Sequence, residues 1–108
     1  MLHLLGVIAQ NMNPAQILII SEKYAAILTG MGLIPNSRDT SLTIRPAEPE
    51  ALAHCLWMCG EIEGMVRVGN RDKAVRWLCF IQGVLWTLGI LSVDSMRDDN
   101  RSIGGAST

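Results

Sequence analysis

The chain lacks an excess of charge of either sign: nine Lys and Arg stand against ten Asp and Glu, for a formal net charge of −1. So even a balance offers no long-range attraction to a polyanion, which disfavours nucleic acid as the main partner. No glycine-rich phosphate loop is present, and no strand precedes a place for one. Cysteines number three, at Cys55, Cys59 and Cys79, an odd count without paired Cys-x-x-Cys spacing. That pattern argues against a disulfide framework and against a zinc site, and for reduced thiols in a cytoplasm. Beside these thiols no base and orienting group can be assembled for nucleophilic catalysis. No cofactor or metal is expected.

What is present is apolar. Hydrophobic residues make up 49% of 108 positions and charged residues 18%, the balance of one globular domain spanning residues 1–108. A chain this short buries a limited share of its surface, so surplus apolar residues point to subunit association. The start, "MLHLLGVIAQNMNP", has an apolar run from Leu4 to Ala9 but no basic flank and no small-residue cleavage site, which argues against a signal peptide. Residues 1–11 are expected to be an upstream extension, and residues 102–108 a frayed tail.

The punctuation predicts an all-α fold: a helical bundle built on a central antiparallel hairpin, with three main helices and a short C-terminal one. Asn13 before Pro14 reads as a helix cap, and Ile17, Ile20, Tyr24, Ile27 and Met31 recur at spacings of three and four. Two prolines and polar residues mark 32–46 as a surface connection. Pro46, Glu48, Pro49 and Glu50 open a second helix that runs to about Val68. Gly69 suits a left-handed C-cap, and a third helix follows from Arg71 or Asp72 to about Ile90. Ser92 then caps a short charged helix.

Within the hairpin, Ala51, Cys55, Met58, Ile62 and Met65 repeat at four, three, four, three, and so do Ala74, Leu78, Ile81, Leu85 and Leu88. Folding about Gly69 and Asn70 sets these two stripes against each other at five apolar levels. The third helix has more to bury than this seam, because residues 77–93 carry no charge. The stretch is too short for a membrane span, which wants about 20 apolar residues, and it holds Gln82. A helix apolar nearly all round is buried in protein on several sides. Its Trp77 flank is expected to meet the first helix. Cys79, Gly83 and Trp86, with Gln82 supplying a hydrogen bond, are expected to meet a second copy of the chain.

A polar flank offers a second candidate site. His54, Trp57 and Glu61 share one side of the second helix, facing Trp77. They could line a pocket for a cationic or aromatic ligand, or Glu61 could simply accept the indole N–H of Trp77. Basic residues Arg67, Arg71, Lys73 and Arg76 gather at the second turn, where an anion could bind; a solvated turn with Glu63 paired to Arg67 accounts for them more simply.

"HCLWMCGEIEGMV" and "DKAVRWLCFIQGVLWTLGILSVDSMRDDNR" together resemble a family of small uncharacterised helical proteins encoded by bacteriophages and by mobile integron gene cassettes. The resemblance spans residues 54–101 and implies mobile DNA, a cytoplasmic location and a helical hairpin, with no catalytic activity. Two functions follow as expectations. One is a non-enzymatic homo-oligomer, a dimer, that binds a host or phage protein. The other is a small-molecule binder, or an enzyme, using the His54, Trp57, Glu61 and Trp77 flank.

Overall fold

The computed structural model describes residues 12–102, which form four helices: α1 (Pro14–Gly30), α2 (Glu48–Arg67), α3 (Arg71–Thr87) and α4 (Val93–Ser102). Among the described residues there is no strand, and α1, α2 and α3 pack against one another as an all-α bundle. No described helix is long and apolar enough to cross a membrane. The expected extension at residues 1–11 and the tail at 103–108 lie outside the described residues. Ser102, the first residue of the expected tail, is the last of α4.

Each helix boundary has a local cause. Asn13 Oδ1 accepts the Gln16 N–H at 2.9 Å while the Gln16 side chain accepts the Asn13 N–H, a reciprocal capping box ahead of Pro14. Ala47 has no side-chain oxygen to offer at the start of α2, so only the return half forms there, with Glu50 Oε1 accepting the Ala47 N–H at 3.2 Å. At the second turn Gly69 takes φ +82° and the Asn70 N–H reaches the Met65 carbonyl at 2.8 Å, the closing bond of a Schellman turn. The same device ends α3 early. Gly89 adopts φ +74° and the Ile90 N–H returns to the Leu85 carbonyl at 2.8 Å, so the helix stops at Thr87 rather than near Ile90. Ser92 caps α4, its Oγ accepting the Ser95 N–H at 3.0 Å.

The hairpin seam forms the centre of the core. Cys55, Met58 and Ile62 of α2 are buried with Ala74, Leu78, Ile81 and Leu85 of α3, while Ala51, Met65 and Leu88 at the two ends are half-buried. α1 adds Ile17, Ile20, Tyr24 and Leu28. Its buried stripe drifts onto Leu28, so Met31, expected inside, is half-exposed. Met12 is also buried, which starts the core one residue before the cap.

The placement of α1 corrects a further expectation. It covers the Gln82 flank of α3, not the Trp77 flank. Gln82 Nε2 donates to the Tyr24 hydroxyl of α1 at 3.0 Å and to Asn100 Oδ1 of α4 at 2.8 Å. All three residues are buried, and the Asn100 amide donates back to Gln82 Oε1 at 3.4 Å. Burial pushes the Tyr24 phenol well up from its ordinary value, against the smaller opposing effect of the Gln82 hydrogen bond. The polar node thus satisfies itself inside one chain and ties three helices together.

Candidate functional site

Because α1 lies elsewhere, the Trp77 side of the hairpin is roofed by the connection between α1 and α2. Three contacts hold it to α2. The Asn36 N–H reaches the Ala53 carbonyl at 3.2 Å, the Arg38 N–H donates to His54 Nδ1 at 3.1 Å, and the Arg38 guanidinium pairs with Glu50 at 3.0 Å. An Asp39–Ser41 turn follows, in which Asp39 Oδ1 accepts both the backbone N–H and the hydroxyl of Ser41. These hydrogen bonds hold the Asp39 carboxyl below its ordinary value.

Between this connection and the hairpin runs a valley with two compartments of interest. The first, of about 470 Å³, is lined by His54 and Trp57 of α2, Arg76, Trp77 and Phe80 of α3, and Arg38 of the connection. Its aromatic rings stand in a row, His54 to Trp57 at 5.3 Å between centroids and Trp57 to Trp77 at 5.7 Å, all tilted. Lys73 Nζ lies 5.5 Å from the Trp77 ring centroid, in cation–π range. Burial first, then the neighbouring Arg38 charge, lowers the His54 pKa, so the imidazole is neutral at pH 7. With Nδ1 accepting, the proton sits on Nε2, which makes no hydrogen bond among the described residues.

Of the four side chains expected on this flank, the structure brings together His54, Trp57 and Trp77. Glu61 is not with them. It is exposed, lines none of this compartment, and makes no hydrogen bond to the Trp77 indole. Trp77 meets Trp57, one turn nearer the start of α2, and that contact leaves Glu61 outside. Arg38 and Phe80 were missed. Phe80 sits three residues after Trp77 and was legible as the same flank, whereas Arg38 comes from a segment without periodicity.

The second compartment, of about 400 Å³, lies towards the C-terminal end of α3 and is mainly apolar: Pro46, Ala51, Phe80, Val84 and Leu88 line it, with Arg45 and Glu48 at its rim. It leads onto the outward face of α3. There Phe80, Thr87, Gly83 and Trp86 fall within about 120° of arc at 100° per residue. Phe80 is 49% exposed and Trp86 44%. Gly83 is buried and Cys79 half-buried. Of the four residues expected at a subunit interface, Gln82 is removed outright by its bonds to Tyr24 and Asn100.

Chemistry elsewhere is sparse. Burial pushes the Cys55 and Cys59 thiols up to about 12 and raises Cys79, so none is a ready thiolate. No three His, Cys, Asp or Glu side chains among the described residues are grouped to hold a metal ion. At the second turn Arg67 pairs with Glu63 at 2.7 Å, and Arg71 Nε donates to the Met12 carbonyl at 2.7 Å. Compared with family models, curated proteins and solved structures, the chain finds no significant match.

Proposed function

We propose that the chain is a non-enzymatic, homo-oligomeric interaction module whose docking face is the outward side of α3. One observation carries this reading: two half-exposed aromatic rings, Phe80 and Trp86, flank small residues on one helix face and adjoin an apolar groove. Fully burying a large apolar side chain is worth about 1.5–3 kcal/mol, so such a face gains by being covered. A second copy of the chain suits it. The groove rim carries one cation, Arg45, and one anion, Glu48, a pair that becomes self-complementary when a two-fold axis sets each against the other's counterpart. Near-zero net charge opposes association little.

A dimer leaves the rest of the valley available to a further protein. The resemblance of residues 54–101 to phage and integron-cassette proteins supports a host or phage protein in that role, and a cytoplasmic setting suits three unpaired thiols. Sedimentation equilibrium at micromolar concentrations tests the self-association. The wild type should be dimeric and Phe80→Glu monomeric with its helical circular dichroism intact. A monomeric wild type would overturn the reading.

A further inference from the structure

The compartment lined by His54, Trp57 and Trp77 differs in chemistry from the α3 docking face. Its walls hold two guanidiniums, Arg38 and Arg76, and no carboxylate. Glu50 neutralises part of Arg38 from outside the lining, and Asp39, nearby on the connection, is engaged with Ser41. Arg76 makes no ion pair or hydrogen bond among the described residues. A third cation, Lys73, already occupies the electron-rich face of Trp77. The local field is therefore positive, and a cationic guest, which the row of indoles alone would favour, meets repulsion from three side chains.

We propose that this compartment binds a planar aromatic anion, a one- or two-ring molecule bearing a carboxylate or phosphate. The ring lies against Trp57, Trp77 and Phe80, whose faces and edges accept offset or tilted aromatic contacts. Arg38 and Arg76 take the anionic group, since a planar guanidinium matches both carboxylate and phosphate oxygens. Arg38 is held for this by its backbone bond to His54 and its pair with Glu50. The neutral His54 adds one donor at Nε2. A volume of about 470 Å³ lies within the usual range for a small-molecule site.

The site shares Phe80 with the self-association face, but its anion-binding groups, Arg38 and Arg76, lie outside that face, so charge selectivity can be tested whatever the subunit number. Isothermal titration of the full chain with 2-naphthoate, 2-naphthyl phosphate and 2-naphthylmethylammonium compares carboxylate, phosphate and cation on one ring system. Naphthoate, naphthyl phosphate or both should bind, and the ammonium compound at least about tenfold more weakly, equivalent to 1.4 kcal/mol. Which anion binds more tightly identifies the natural group as carboxylate or phosphate. Arg76→Gln, a change at an exposed position, should weaken the anion about tenfold without altering thermal stability. In the same titration followed by NMR, the Trp57 and Trp77 indole N–H signals should shift and that of Trp86 should not. Equal or tighter binding of the cation, an unaffected Arg76→Gln variant, or no binding of either anion overturns the assignment.

Discussion

Gln82 was expected to supply a register-fixing hydrogen bond to a second copy, and its amide instead donates to Tyr24 and Asn100 of the same chain. The clue was in the last helix: Val93, Met96 and Asn100 are spaced three and four, an inward stripe that ends on an amide. Replacing Gln82 by Leu keeps the volume but strands a buried hydroxyl and a buried amide, so urea denaturation should show a loss of about 1–3 kcal/mol. Adding Asn100→Leu should cost less than the sum of the two single changes, because part of the unmet polarity disappears with it. His54 sets a pH dependence at the same scale. Its pKa is 6.5 in the unfolded chain and lower in the fold, so below about pH 6.5 the unfolded state binds more protons. Stability should therefore fall as pH drops through that window, and rise again through it as pH increases. Guanidinium melts at pH 7.5 and 5.5 should separate less for His54→Gln than for wild type.

Elements were legible wherever periodicity and punctuation agreed. The matched heptads of α2 and α3, the Asn13–Pro14 start and the Gly69 turn all follow from side-chain spacing and backbone permission, which are local properties. The end of α3 was not legible in the same way, because an apolar run continues through Ile90 and hides Gly89, whose positive φ closes the helix at Thr87. Gly89→Ala should accordingly lower stability by about 1–2 kcal/mol by forcing a Cβ into the left-handed region, although no atom lies within 4 Å of that Cβ. A thermal melt of the variant measures it; an unchanged midpoint would mean that the turn relaxes to another geometry. The flank chosen by α1 was beyond local signals altogether. Both sides of α3 are apolar, and only the pairing of Tyr24 with Gln82 distinguishes them.

For the whole molecule, the fold class could be read from the chain and the candidate sites only in part. His54 and Trp57 share a flank on the wheel of α2 and the hairpin sets Trp77 of α3 against it, so their meeting was predictable; Arg38, which turns that flank from cation-seeking to anion-seeking, arrives by tertiary contact from a connection with no pattern. Trp86 is half-exposed on the outward face of α3, with Phe80 in place of Gln82 as its companion. On the proposed reading, this face meets its own copy. A nitroxide placed at exposed Thr87 through Thr87→Cys, in a chain whose half-buried Cys79 is changed to Ser, reports on it directly. With α3 packed on α3 across a two-fold axis, at the 8–10 Å separation of packed helix axes, double electron–electron resonance should give one narrow distance below about 30 Å. A signal with no intermolecular distance at micromolar concentration, or a distance unchanged by Phe80→Glu, would contradict the account.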